Sequence, residues 1–139
     1  GGAGTRITRM RVPVDGPEFS PDGQWIYFNG EIGARCGGDS QLFRMRSNGS
    51  GIALVLRDER VNWFPHFSRD AQCIAYLSYA PATQGHPAGC YVLLRVMPAG
   101  GGTPANVVAL VGGQGSINCN SWAPDSERLA YVAYPRDEQ

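Results

Sequence analysis

Two histidines, His66 and His86, together with Gln114, are the residues of this 139-residue chain whose types could gather round a metal ion. No two of them form a sequence-local ligand pair, so the metal reading depends on the fold bringing them to one place. The other familiar patterns of chemistry are missing. Cys36, Cys73, Cys90 and Cys119 form no C-x-x-C pair and no zinc-type spacing, and read as scattered free thiols. The stretch "VGGQGSINCN" is glycine-rich, but it lacks the lysine, the G-x-G-x-x-G spacing and the following helix of a phosphate cradle, and reads as a turn. No G-x-S-x-G nucleophile elbow occurs. Asp22, Asp70 and Asp125 read as turn residues, not as paired catalytic carboxylates.

The totals narrow the partners. Twelve basic residues, all arginine, balance twelve acidic ones. A binder that tracks nucleic-acid phosphates needs a basic stripe, and a polybasic membrane-surface protein needs the same, so neither is expected. No apolar run approaches the roughly 20 residues of a membrane-spanning helix, so no membrane insertion is expected. No charged segment leads into an apolar one as in a signal peptide, and the opening "GGAG" reads as a tag remnant or a loose end. The 19 glycines and 10 prolines punctuate apolar segments, a composition that suits many short strands joined by tight turns.

Laying the chain on itself exposes a repeat. "PEFSPDGQWIYFNGE" from Pro17, "PHFSRDAQCIAYLSY" from Pro65 and "NSWAPDSERLAYVAY" from Asn120 align, with Asp22, Asp70 and Asp125 at intervals of 48 and 55 residues. Phe19, Phe67 and Trp122 fall in register, as do Ile26, Ile74 and Leu129. A second element, "QLFRMRSNGSG" from Gln41 and "LLRVMPAGGGT" from Leu93, matches Met45 to Met97. His66 occupies the position held by Glu18 and Ser121 in the other copies. It is the variable position of a unit.

Each of the first two units reads as four strands, and the third as two. In the first, "PEFS" turns at "PDG" into the aromatic and β-branched "QWIYFNG", then come "QLFRMRS", the hairpin signal "NGSG", and "IALVLRD". The second copy keeps this order. Four antiparallel strands at a period of roughly 40–55 residues indicate a propeller blade, buried on both faces against its neighbours.

"FSPDGQWIYF", "QLFRMRSNGSG" and "APDSERLAYVAY" resemble the PD40, or WD40-like, repeat of the TolB-like β-propeller family. The resemblance runs from Thr5 to Pro135. It departs from the pattern at Arg69 and Ala71, which replace the proline and glycine of the turn, and at Ser126, which replaces glycine. Those turns should be less ideal but still formed. The resemblance implies a propeller used mostly for binding, often in exported bacterial proteins, where the periplasm or beyond would be its compartment. It does not imply one activity or any cofactor.

The expected architecture is therefore all-β: a single propeller arc with repeats at about 17–56, 65–111 and 120–135, and a strand at 5–12 that completes a neighbouring blade. That is about three blades, whereas propellers close with about four to eight. Head-to-tail pairing of two copies would close a six-bladed ring as a homodimer, with the strand at 5–12 exchanged between them. The chain could also be a fragment of a larger propeller protein.

Strand order predicts that the loop leading into each first strand and the loop between the second and third strands share one end. The long connections "EIGARCGGDS" and "APATQGHPAG" lie there, and loops on a rigid scaffold carry function. The candidate binding residues assigned to that end are Glu18, Arg35, Asn62, Trp63, His66, His86, Asn118 and Asn120, with Cys36 and Gln114 beside them. Each has a plainer explanation: Trp63 as packing, His66 as a structural histidine, His86 as loop chemistry. The reading is a non-enzymatic binding or scaffold module for a protein, peptide or carbohydrate, with no cofactor and no metal. The competing reading is a metal-dependent carbohydrate-active enzyme built on His66, His86 and Gln114, similar to the oligogalacturonate lyases, which are also propellers with histidine ligands.

Overall fold

The computed structural model describes residues 2–35 and 37–135. Eight strands form in sequence: β1 (Val14–Phe19), β2 (Trp25–Gly30), β3 (Gln41–Arg46), β4 (Ala53–Leu56), β5 (Val61–Phe67), β6 (Cys73–Tyr79), β7 (Cys90–Pro98) and β8 (Ala105–Gly112). They make two four-stranded antiparallel sheets, ordered β1-β2-β3-β4 and β5-β6-β7-β8. This all-β arrangement of four-stranded units is the one the repeat predicts.

The turns that generate the repeat are the same three times over. The Gly23 N–H donates to the Ser20 carbonyl, Ala71 N–H to Ser68 and Ser126 N–H to Ala123, at 2.8, 3.0 and 3.0 Å. Gly23, Ala71 and Ser126 share a left-handed backbone, with φ of 69°, 61° and 61°. Only glycine adopts that region without cost; the alanine and the serine hold it because flanking bonds close the turn on both sides. The aspartates belong to these turns. Asp22 Oδ1 accepts from the Ser20 hydroxyl and the Gln24 N–H, and Asp70 Oδ1 accepts likewise from Ser68 and Gln72. Asp125 takes the Glu127 N–H and pairs with Arg128.

Side-chain alternation sorts the apolar residues into layers. Tyr27 and Leu42 face the second sheet and pack with Phe67, Ile74, Tyr76 and Met97. Tyr27 meets Phe67 edge to face, with ring centroids 4.7 Å apart. On the far side of the second sheet, Leu77, Tyr79, Val92 and Leu94 pack with Trp63, Phe64 and Ile117. The second sheet is thus covered on both faces, which is why every residue of β5 is buried and its sequence shows little alternation. On the outer face of the first sheet, Ile26, Phe28, Phe43 and Met45 form a third cluster against Met10.

Two segments lie outside the two sheets. Residues 5–12 form no strand within the chain. A strand needs an open edge beside it to take its N–H and C=O groups, and this segment instead places Met10 on the outer apolar cluster. The third repeat, 120–135, keeps its turn but pairs only at the bridge between Trp122 and Leu129. The segment ties back to the second sheet: Val132 N–H donates to Ser116 O and Tyr134 N–H to Val111 O.

Candidate functional site

The inner strands β1 and β5 each carry a bulge, and the bulges aim the residues in question. Register shifts fall between Asp15 and Glu18 and between Trp63 and His66. Gly16 sits at φ 57° in one bulge and Phe64 at φ 58° in the other, and the Phe64 N–H donates to Asn29 Oδ1 at 3.1 Å. Beyond the bulges, the equivalent residues Glu18 and His66 meet each other. His66 Nδ1 bonds Glu18 Oε2, and His66 Nε2 lies 2.5 Å from the Ile117 carbonyl. Both ring nitrogens face acceptor oxygens.

Glu18 is equally occupied. Its Oε1 accepts from the Phe67 N–H at 3.0 Å and from Asn120 Nδ2 at 2.7 Å. Asn120 also donates to the Phe67 carbonyl at 2.8 Å, and the Trp122 indole N–H donates to the His66 carbonyl at 3.1 Å. Burial pushes the Glu18 carboxyl up, but the His66 bond and charge, with the Phe67 and Asn120 donors, outweigh it and hold it below the usual range. This knot joins all three repeats. Chemically it is nearly spent: both ring nitrogens of His66 and both oxygens of Glu18 already have partners within the fold.

The knot also lies at the other end from the one expected. Val61 pairs with Tyr79 at the long-loop end, whereas His66 pairs with Ala75 and Glu18 with Tyr27, close to the short turns. Sequence reasoning assigned both residues to the loop that leads into their strand, but five residues of strand separate His66 from that loop.

Asn62 is at the long-loop end, yet its amide is spent inside. Nδ2 donates to Gln41 Oε1 and Asp58 Oδ1, both at 2.9 Å, and Oδ1 accepts from the Ser78 hydroxyl at 2.7 Å. Gln41 in turn donates to the Asp58 and Arg60 carbonyls, Arg60 bonds Ser78, and Arg95 pairs with Asp58 at 2.6 Å. Gln41, Asn62 and Ser78 are fully buried, and the network welds the two sheets. Asn118 accepts the Gly115 N–H and shapes a turn. Trp63 is buried, with the His86 ring against it at 4.4 Å, as the packing reading expects.

What stays available at the long-loop end is a small polar set. His86 is half-buried and lies 3.6 Å from Asp15, and Arg35 is exposed. The two long loops hold each other through Gln84 Nε2 donating to the Gly37 carbonyl. Cys36 lies outside the described residues. His66 and His86 keep separate partners, and among the described residues no three His, Cys, Asp or Glu side chains come together as a metal site.

No family model matches the chain. Over 133 residues, 96% of its length, it is 36% identical to an uncharacterized protein of Agrobacterium fabrum, of which it covers 44%. A solved structure of a "putative TolB" from Agrobacterium tumefaciens superposes with a TM-score of 0.88 at 36% identity, over 95% of this chain and 46% of that one. The fold is TolB-like. TolB from Acinetobacter baumannii shares it more distantly, with a TM-score of 0.57 at 17% identity over 76% of this chain and 24% of that one. The TolB-like chain spans less than half the length of the relatives it matches. Its two complete sheets are propeller blades, with β1 and β5 as the inner strands, and the Glu18–His66 knot locks one inner strand to the next.

Three residues escaped sequence reasoning. Trp25, Arg44 and Arg46 cluster on the inter-blade face of the first blade, with both guanidiniums against the indole. The signal was present in "QLFRMRS": two arginines two residues apart in a strand share a face, and that face should be buried.

Proposed function

We propose that the chain is a non-enzymatic binding or scaffold module that recognises a protein, peptide or carbohydrate at its long-loop face, and that two copies close into one ring. The observation that carries the first half is where free polar groups remain. Glu18, His66, Asn62 and Asn120 spend their donors and acceptors on joining blades, whereas Arg35, Asp15 and His86 stand exposed or half-exposed on loops held by that rigid frame. A face built of mixed charge and an aromatic base suits recognition through hydrogen bonds better than proton transfer. A ring of the size of the TolB-like structure from Agrobacterium, of which this chain covers 46%, would take about two such arcs.

A displayed peptide library and a glycan array, probed with the protein and with an Arg35→Ala/His86→Ala variant, test the reading. Ligands selected by the protein should bind the variant at least about fivefold more weakly, the loss that marks an energetically important contact. Selection of no ligand, or of ligands indifferent to the variant, overturns it.

A further inference from the structure

Between the two blades, at the end where the short turns lie, runs a groove that the long-loop reading does not use. Its larger part, about 300 Å³, is bounded by Trp25, Tyr27 and Arg44 on one side and by Phe67, Ala71 and Gly100 on the other. It continues past Arg44 into a smaller cleft of about 130 Å³ bordered by Leu54 and Val55. Arg44 lines both parts.

The alternation of β3 puts Arg44 and Arg46 on the same face, opposite Tyr27 and Trp25 of β2. Their Cζ atoms stand 4.4 and 4.0 Å from the centre of the Trp25 ring, so one indole orients two like charges. Arg44 Nη1 donates to the Tyr27 hydroxyl at 3.3 Å, which uses one of its five N–H groups. Neither guanidinium forms a salt bridge among the described residues, unlike Arg57, Arg95 and Arg128, which pair with Asp39, Asp58 and Asp125, although the charge of Arg46 acts on the Asp22 carboxylate. The acidic group of the groove is Asp22 at its end, and one oxygen of that carboxylate is committed to the Ser20 hydroxyl and the Gln24 N–H. The groove is therefore positive along its middle, with planar donors held in place and an apolar wall beside them, Leu54 being 51% exposed.

We propose that this groove binds a carboxylate, with Arg44 as the ligand, and that an apolar neighbour of that carboxylate rests on Leu54 and Ala99. A guanidinium presents a fork that matches a carboxylate bidentately, and stacking on Trp25 removes much of the side-chain freedom that such a contact would otherwise lose. The carboxylate comes either from an acidic peptide segment or from a free organic acid. The site is independent of Arg35 and His86.

The test is a nuclear magnetic resonance titration that follows the Trp25 indole N–H and the arginine Nε–H signals. The probes are a capped Glu-Leu-Glu-Leu peptide, the matching Gln-Leu-Gln-Leu peptide, and succinate. The acidic peptide or succinate should shift the Trp25 and Arg44 signals to saturation, and the neutral peptide should not. Binding by the peptide alone identifies an acidic segment as the ligand; equal binding by succinate identifies a small acid. Arg44→Gln should weaken binding about tenfold, the loss of a charge-assisted pair, with Arg44→Lys in between and Arg35→Gln without effect. A folded Arg44→Gln protein that binds as before, equal binding of the neutral peptide, or no saturable shift with either acid overturns the proposal.

Discussion

Glu18 and His66 show how one position of a repeat can be spent on joining repeats. Position 18 supplies the carboxylate, position 66 the imidazole, and Asn120 of the third copy closes the set. Glu18→Gln keeps the shape but removes the charge that His66 faces, and should destabilise the protein by about 1–3 kcal/mol in a urea titration. The pH dependence has a definite sign. The folded Glu18 carboxyl titrates below its ordinary value of 4.5, so in acid the unfolded chain binds its proton first, and stability falls as pH drops from about that value through the folded pKa. Urea midpoints of the protein and of Glu18→Gln should differ at neutral pH and converge below that window. A constant difference across the acid range would mean that the carboxylate charge is not what holds the knot. The turn residues offer a cleaner test. Ala71 holds φ 61° without glycine, so Ala71→Gly should raise stability by about 0.5–1 kcal/mol, the left-handed strain less the extra freedom glycine brings to the unfolded chain. Ser126→Gly should gain less, because Ser126 Oγ also accepts the Asp70 N–H at 2.9 Å.

Among the elements, the decisive contacts lie between sheets. Asn62 is fully buried, and its amide satisfies Gln41, Asp58 and Ser78 together. Asn62→Ala would leave all three short of a partner in a dry interface, so a loss of about 3 kcal/mol or more is expected, against about 1 kcal/mol or less for His86→Ala on the loop face. Thermal melts of the two variants check the order; equal losses would show that the network is not what welds the blades. The strands and turns were legible because alternation and the P-D-G signature are local. Which end of a strand a residue occupies was legible too, by counting: Glu18 stands two residues before Ser20 of the turn, and His66 two before Ser68. The partners were not legible. Nothing within "VNWFPHFS" says that Asn62 meets Gln41 across a sheet boundary while His66 meets Glu18, because those pairings depend on how blades stack and on bulges at Gly16 and Phe64. Phe64 in particular is a bulky residue in a left-handed bulge, which no local preference announces.

For the molecule as a whole, the open question is what the outer face of the first blade meets. In the second blade the equivalent face carries Ile74, Tyr76 and Met97, buried by the first blade through Tyr27 and Leu42. In the first blade Ile26, Phe28 and Met45 take those positions, and here it is Met10, ahead of β1, that packs against them. The cleft between that segment and the face, lined by Met10, Val14, Phe28 and Met45, is about 190 Å³, so the cover is incomplete. A single extended segment also buries less apolar surface than a packed blade. If two copies close a ring, the third repeat of one must reach this face of the other, and the segment at 5–12 competes with it. Removing residues 2–12 should therefore strengthen self-association, moving the monomer–dimer midpoint in sedimentation velocity to lower concentration. Phe28→Asp in the truncated chain should abolish it, and Ile52→Asp, exposed beside β4, serves as a control for added charge. A truncated chain that keeps its circular dichroism spectrum yet stays monomeric at the highest concentration would show that the first-blade face does not receive a second copy.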